Sequence, residues 1–233
     1  MQFFILVILF CFFVFLFCLY ALSNDDLVLL RKDVSTEKIF NLVFLLALTG
    51  LFFARLFYGL LFSRNIFENF FKFFLFPYFP GLSLLGGVIG GILFLLIIRK
   101  KEIALDRLFD LFSISFLSVL PFGYLGYFLL MKINLLTVES VFLITVYIVA
   151  FLFFILYLFP RLLKSSFKEG TIGFLFLIVY SSVSLVNNYL ERTTIFWHVD
   201  DFILLLILLI SLVYLIDKGD LPERIKKKFK FKK

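Results

Sequence analysis

The chain has 233 residues, of which 63% are hydrophobic and 17% are charged, and its formal net charge is +7. Ordinary soluble domains are about 45–50% apolar, so this composition excludes a soluble protein built around one buried core. Apolar runs of roughly 20 residues, the length that a helix needs to cross a bilayer, recur along the chain. None of them shows the ten-residue alternation of a transmembrane barrel strand. The sequence therefore predicts an all-α integral membrane protein.

The apolar runs predict a seven-transmembrane-helix bundle in one domain. The seven predicted spans are residues 3–22, 39–62, 82–98, 111–131, 138–159, 170–190 and 202–216. We expect residues 1–218 to form the transmembrane domain. We expect residues 219–233 to form a basic cytoplasmic tail.

The distribution of Lys and Arg between the spans predicts the orientation of the bundle. With the N-terminus outside and the C-terminus cytoplasmic, the cytoplasmic segments contain 18 basic residues and the external segments contain 4. Basic residues are enriched on the cytoplasmic side of membrane proteins, so we predict this orientation. A Lys-rich tail can bind nucleic acid. Beside a membrane it is expected to lie on the anionic inner leaflet instead, and we expect no nucleic-acid partner.

The first span contains both cysteines, Cys11 and Cys18, seven residues apart on one helical face. No His, Asp or Glu accompanies the two thiols in this span, and lone thiols at this spacing do not indicate a metal site or a disulfide. We therefore expect two small apolar side chains, with no metal site and no cofactor.

The second span carries an arginine at membrane depth, in LTGLFFARLFYGLLF (48–62). Burying an arginine near mid-bilayer costs about 2.5–3.5 kcal/mol on insertion scales, which makes Arg55 a candidate functional residue. Tyr58 lies three residues further on, on the same helical face. We expect the pair to bind an anionic lipid head group in the outer leaflet, with the guanidinium as a fork for phosphate. The alternative is an arginine that extends along the helix to the head-group region.

The next segment, SRNIFENFFKFFLFPYF (63–79), is too polar at its start to span a membrane. Its phenylalanines at helical spacing are Phe67, Phe70, Phe71 and Phe74. This spacing predicts a short helix that lies in the outer interface, and an ordinary loop is the alternative. Pro77 and Pro80 are expected to end the helix.

The third span opens with a glycine-rich stretch, PGLSLLGGVIGG (80–91). Gly86 with Gly90, and Gly87 with Gly91, form overlapping pairs of small residues that let a second helix approach closely. A glycine-rich turn at a helix N-terminus also offers backbone N–H groups to an anion. Gly86 and Gly87 are therefore candidate head-group-binding residues, and helix packing alone is the alternative.

Two further spans have unusual residues near their predicted outer ends. The fourth contains LPFGYLGYF (120–128), in which Pro121 is expected to kink the helix. The sixth ends in a polar cluster, formed by Asn187, Asn188, Glu191, Arg192, His198, Asp200 and Asp201. A histidine beside carboxylates resembles a general base, so Glu191, Arg192 and His198 are candidate catalytic residues. Ordinary capping of lipid head groups is the alternative.

The order of these motifs resembles that of the bacterial prolipoprotein diacylglyceryl transferases. ARLFY (54–58) is similar to the family's G-A-R-L-x-Y, and GLSLLGGVIGG (81–91) is similar to its G-L-S-F-H-G-G-x-x-G. RKKEIALDRLFDLFS (99–113) resembles the basic loop and Asp that follow there. The resemblance implies a seven-span fold in the bacterial cytoplasmic (inner) membrane. It also implies transfer of diacylglycerol from phosphatidylglycerol to the cysteine thiol of a prolipoprotein lipobox.

Several polar residues of the family's pattern are replaced in this chain. The family's His in S-F-H-G-G corresponds to Leu85. Its signature G-R-I-G-N-F-x-N-G-E aligns with GYLGYFLLMK (123–132), where Arg becomes Tyr124 and Glu becomes Lys132. In a gapless alignment of the sixth span, a second family Arg falls on Ser184. These replacements remove cations and a base that the transfer needs.

The function implied by the resemblance is diacylglyceryl transfer in lipoprotein biosynthesis, by a member with an altered site. One alternative is a catalytically inactive relative that binds phosphatidylglycerol, another anionic phospholipid or a partner protein. A small transporter is a weaker alternative, because transporters usually bind at the midplane within repeats and this sequence shows no repeat.

Overall fold

The computed structural model describes residues 2–24, 26–32, 34–67, 70–74, 78, 81–98, 105–130, 138–164, 167–191 and 198–218. Within these ranges all regular elements are helical. The α-helices are α1 Gln2–Asn24, α2 Leu27–Arg31, α3 Thr36–Leu61, α4 Phe70–Phe74, α5 Leu84–Ile98, α6 Leu105–Leu130, α7 Val138–Phe153, α8 Phe159–Leu163, α9 Thr171–Glu191 and α10 Val199–Lys218. A 3₁₀ turn spans Arg64–Ile66, and a π-helical segment, Phe154–Leu158, joins α7 to α8.

Six helices of the described chain are long and apolar enough to cross a membrane. They are α1, α3, α6, α7 with its continuation into α8, α9 and α10. The predicted third span is α5, an apolar helix of 15 residues. At 1.5 Å per residue it is about 22 Å long, which is shorter than the roughly 30 Å hydrocarbon core. The chain is thus an all-helical multi-pass membrane protein, whereas the count of seven spans and the orientation stay predictions.

Helix α6 is the centre of the bundle. In its most apolar 18-residue stretch, 67% of the residues are buried, compared with 17% in the corresponding stretches of α1 and α10. It packs against α1, α7 and α9, while α3 pairs with α5 and α9 pairs with α10. The outer helices expose large apolar side chains such as Phe17 and Leu48. Such exposure is expected of a surface that faces lipid.

The long helices alternate in direction, so their ends form two groups. We call outer end the group formed by the C-termini of α3, α6 and α9 with the N-termini of α5, α7 and α10, following the predicted orientation. The opposite group is the inner end. Helix α6 runs through Pro121 without interruption and reaches the outer end at Leu130.

Buried charged groups connect helices at the inner end. Arg107 Nε donates to Asp26 Oδ2 at 2.6 Å, and both side chains are buried. One turn further along α6, the Asp110 carboxylate accepts hydrogen bonds from the N–H groups of Gly170 at 2.7 Å and Gly173 at 2.8 Å. A carboxylate in this position satisfies free N–H groups at the start of α9 and interacts favourably with the helix dipole.

The segment after α3 contains the short helix that its phenylalanine spacing predicts. Helix α4 covers Phe70–Phe74, after the 3₁₀ turn, and Phe71 and Phe74 are exposed. Pro77 and Pro80 lie outside the described residues. The location of α4 in the membrane interface stays a prediction.

Candidate lipid-binding site

The outer half of α3 carries Arg55, whose guanidinium points into the protein. The residue is only 2% exposed. Its Nε donates to Phe73 O at 3.1 Å, its Nη1 to Gly81 O at 2.7 Å and its Nη2 to Lys72 O at 2.7 Å. No carboxylate pairs with it in the part of the chain that the structure describes. Arg55 thus joins α3 to two separate points of the segment that leads from α4 into α5.

These three bonds use donors that the predicted head-group contact would need. A guanidinium has five N–H donors in a planar fork, and the carbonyls take Nε and one donor on each terminal nitrogen. A phosphate is normally bound by two such donors side by side. Direct phosphate binding by Arg55 therefore stays a prediction, and it requires a carbonyl bond to be exchanged for a phosphate bond. The burial of Arg55 does not fit the alternative of an arginine extended to the head-group region.

Tyr58 is half-buried and packs against the same turn. Its ring occupies the space that a Cβ on Gly81 would take, and the ring stacks on Phe62 with centroids 5.7 Å apart. Gly81 has a φ of +150°, so both its backbone conformation and the closeness of Tyr58 favour glycine there. Tyr58 shapes the entry into α5, and donation from its hydroxyl to a lipid stays a prediction.

Helix α5 starts directly against α3. Ser83 N donates to Ala54 O at 2.9 Å, and Ser83 Oγ accepts from Gly86 N at 3.3 Å. The serine is therefore an N-cap residue of α5 as well as a tie to α3. Ala54, Arg55 and Tyr58 together fix the path of the chain as it enters α5.

The four glycines of α5 have two different environments. A Cβ on Gly86 would stand 2.5 Å from Phe53 O, and a Cβ on Gly90 would stand 2.7 Å from Phe53 Cβ. This pair therefore allows the close approach of α3 and α5. A Cβ on Gly87 would meet its nearest atom only at 3.8 Å, and a Cβ on Gly91 would meet none within 4 Å. The expected approach of a second helix is thus observed at Gly86 and Gly90, whereas anion binding at Gly86 and Gly87 stays a prediction.

Beside Gly87 and Gly91 there is a partly open cavity of about 80 Å³. It lies between α5 on one side and α1, α3, α6 and α9 on the other, with Phe116 and Phe176 in its wall. The lining side chains are apolar except that of Ser113. An apolar cavity of this kind stays dry and suits hydrocarbon rather than water.

Hydroxyl groups replace the arginines that the resemblance places at positions 124 and 184. The ring of Tyr124 on α6 stacks on that of Tyr147 on α7, with centroids 5.4 Å apart and an interplanar angle of 15°. Ser184 on α9 faces the hydroxyls of Tyr147 and Tyr180. The two aligned positions therefore meet around Tyr147. The third aligned position, Leu85, is buried in the hydrophobic core.

The polar cluster at the C-terminal end of α9 joins α9 to α10 at the outer end. Asn188 Nδ2 donates to Asp200 Oδ2 at 3.1 Å and to Asp201 Oδ1 at 2.9 Å. Asp201 Oδ2 also accepts from the backbone N–H of His198 at 3.0 Å. An acidic residue that reaches back to the N-cap N–H is half of a capping box. These carboxylates therefore stabilise the start of α10.

The predicted catalytic candidates are only partly visible in this arrangement. The side chain of His198 is exposed, and its backbone caps α10. Glu191 is the last residue of α9, and its side chain, like Arg192, lies outside the described residues. Their catalytic roles stay predictions.

Sequence reasoning missed two buried sets of side chains. The first is the inner-end set around Arg107 and Asp110, which was signalled by charged residues three apart at the start of an apolar helix. The second is the group around Tyr147 and Tyr180. It had no signal, because a tyrosine in an apolar helix is more often a core residue than a ligand.

The comparison with known families covers almost the whole chain. The profile of the family described as prolipoprotein diacylglyceryl transferase matches residues 1–216. No curated protein matches the chain significantly. The match includes the Arg55 region, the glycine-rich start of α5 and the bundle that surrounds them. The chain therefore belongs to the prolipoprotein diacylglyceryl transferase family.

Proposed function

We propose that this protein transfers diacylglycerol from phosphatidylglycerol to the cysteine thiol of a prolipoprotein lipobox, in the bacterial cytoplasmic membrane. The observation that carries the proposal is the family match over residues 1–216. It is supported by the compact entry into α5, built by Arg55 and Tyr58 at the end of the bundle predicted to face outward. No cofactor is needed for this chemistry.

The transfer forms a bond from the thiol sulfur to a glyceryl carbon while the bond from that carbon to the phosphate oxygen breaks. The thiol proton goes to a base, and glycerol phosphate leaves with the bonding electrons. Cationic groups near the phosphate lower the barrier to its departure. We assign this role to Arg55 and Arg192, with Glu191 or His198 as the base.

Lipid binding without transfer is the second candidate function. It is supported by the three carbonyls that already engage Arg55. It is also supported by the uncharged Tyr124 and Ser184 at the aligned arginine positions. Such a protein would bind phosphatidylglycerol or another anionic phospholipid, or a partner protein, and it would form no thioether.

A transfer assay separates the two functions. The purified protein in nanodiscs receives labelled phosphatidylglycerol and a lipobox peptide, and mass spectrometry measures the thioether product. Product that is lost in Arg55→Ala but retained in Arg161→Ala supports the transferase, because Arg161 is an exposed residue of α8 at the inner end. Absence of product, together with Arg55-dependent binding of phosphatidylglycerol, supports lipid binding alone.

A further inference from the structure

Helix α4 docks on one face of α3. Phe52, Arg55 and Gly59 of α3 follow at intervals of three and four residues, so they lie on the same side of the helix. The ring of Phe73 contacts that of Phe52, with centroids 5.5 Å apart, and that of Phe67, with centroids 6.2 Å apart. The Phe67 ring in turn fills the space that a Cβ on Gly59 would take. This face of α3 therefore makes both aromatic and polar contacts with the chain that follows it.

The guanidinium of Arg55 caps the C-terminal turn of α4. The last four C=O groups of a helix have no partner within it, and those of Lys72 and Phe73 belong to this set in α4. Arg55 Nη2 donates to Lys72 O at 2.7 Å, and Arg55 Nε donates to Phe73 O at 3.1 Å. Basic side chains can satisfy the last carbonyls of a helix in this way. The end of α4 is thus fastened to α3 by two hydrogen bonds from one side chain.

The same two donors form the edge of the guanidinium that suits a phosphate group. Nε–H and the neighbouring N–H of Nη2 lie side by side, and such a pair binds two oxygens of one carboxylate or phosphate. In the structure two successive carbonyls of α4 fill this edge. The third bond, from Nη1 to Gly81 O at 2.7 Å, uses a nitrogen outside the edge. A phosphate on the Nε–Nη2 edge and a docked α4 therefore exclude each other.

Helix α4 buries little surface that would hold it in place. Phe71 is 69% exposed and Phe74 is 54% exposed, and segments with few buried apolar contacts open at low cost. Arg55 has no carboxylate partner in the described part of the chain. A phosphate brings a full negative charge to this cation, and opposite charges attract strongly away from water. A phosphate is therefore able to displace the two carbonyls.

We propose that α4 and the phosphate of an anionic lipid compete for the Nε–Nη2 edge of Arg55, so that docked α4 keeps the head-group site closed. Binding of the phosphate removes the cap of α4 and releases α4 from α3, while Gly81 O keeps its bond to Nη1. Because such coupling is reciprocal, a change that weakens the docking of α4 strengthens the binding of phosphate. The proposal rests on the proposed function for the choice of phosphatidylglycerol, and it adds a regulation of the site that is separate from the transfer step.

Pulsed electron paramagnetic resonance measures the release of α4. Spin labels at Phe74→Cys of α4 and Leu206→Cys of α10, two exposed positions, report the distance between these helices in a background with Cys11→Ser and Cys18→Ser. The protein is placed in phosphatidylcholine nanodiscs with increasing fractions of phosphatidylglycerol, or in phosphatidylcholine alone with soluble glycerol phosphate. We expect phosphatidylglycerol to add a second, broader distance to the first. A response to the soluble compound alone would contradict a lipid as the source of the phosphate, and an unchanged distance in both series would overturn the proposal.

Two matched substitutions in α4 give the test its direction. Phe73→Ala removes the ring that packs on Phe52 and Phe67, and we expect half of α4 to be released at a roughly three- to tenfold lower fraction of phosphatidylglycerol. Phe71→Ala removes an exposed ring from the same helix and is expected to leave this midpoint unchanged. Phe73→Leu, with a smaller expected decrease, replaces Phe73→Ala if α4 is already released or the protein unfolds without the lipid. A midpoint that stays the same or rises in the folded variant would overturn the competition, because a purely structural Arg55 gains nothing from a loosened α4.

The outcome is independent of the transfer reaction. Release of α4 by phosphatidylglycerol, without any thioether product, would retain the proposed competition and contradict the transferase. Thioether product that depends on Arg55 while α4 stays docked would retain the transferase and contradict the competition.

Discussion

Arg55 shows how a cation is accommodated inside the bundle without a carboxylate beside it. Its charge is balanced by the carbonyl dipoles of Lys72, Phe73 and Gly81, which lie 17 to 26 residues further along the chain. Hydrogen bonds to charged groups contribute roughly 1.5–3 kcal/mol each. The guanidinium is therefore a structural clamp that holds the entry into α5 against α3. This role does not depend on whether it also binds a lipid.

The clamp role of Arg55 predicts a different loss of stability for each of two substitutions, Arg55→Ala and Arg55→Lys. Arg55→Ala leaves three carbonyls without their donor, and we expect it to destabilise the folded protein by about 3 kcal/mol or more. Arg55→Lys is expected to restore only part of this, because an ammonium lacks the planar arrangement of donors. Thermal unfolding in detergent measures the effects, with exposed Arg161→Ala as control. Equal melting temperatures for Arg55→Ala and Arg161→Ala would contradict the clamp.

At the scale of elements, α3 and α5 form the closest helix pair near the candidate site. Their backbones approach at Gly86 and Gly90, where no Cβ fits. Small residues at such contacts allow the van der Waals packing that holds helices together in lipid. The cavity lies on another side of the same helix, beside Gly87 and Gly91. One glycine-rich stretch therefore serves helix packing on one face and leaves open space on the other.

This division predicts different results for two substitutions five residues apart in α5. Gly86→Ala forces a Cβ against Phe53 O and the Ala54 backbone, and we expect a loss of about 1–3 kcal/mol in stability. Gly91→Ala meets no atom within 4 Å and gains helix propensity, so no loss is expected. Thermal unfolding of the two variants in the same detergent compares them directly. A loss in Gly91→Ala as large as that in Gly86→Ala would show that the α3–α5 contact is not the one described.

The helices were predictable from the sequence, and their polar contacts were only partly so. Apolar runs located the long helices to within six residues at each end, because length and hydrophobicity mark the segments that can enter a bilayer. The partners of Arg55 are backbone carbonyls, which leave no side-chain signature. Arg107 and Asp26 are 81 residues apart in sequence, and no local pattern connects them. Contacts made by tertiary folding are therefore the part that sequence reasoning missed.

At the scale of the whole molecule, the two ends of the bundle differ in character. The inner end holds buried charges in pairs and caps, as at Arg107 and Asp110. The outer end holds the guanidinium of Arg55, whose partners are backbone carbonyls, whereas the apolar cavity lies nearer the inner end, beside the N-terminal halves of α6 and α9. The predicted head-group site around Arg55 therefore faces one leaflet only, and which leaflet depends on the orientation.

The excess of basic residues on one side predicts that the end with Arg55 faces outward. Arg64→Cys and Lys164→Cys place single thiols at exposed positions of the outer and the inner end, in a background with Cys11→Ser and Cys18→Ser. A membrane-impermeant maleimide added to intact spheroplasts is expected to label position 64 at once and position 164 only after permeabilisation. The unsubstituted background is the control for labelling elsewhere. Labelling of position 164 in intact spheroplasts would place Arg55 on the cytoplasmic side, where a secreted prolipoprotein cannot reach it.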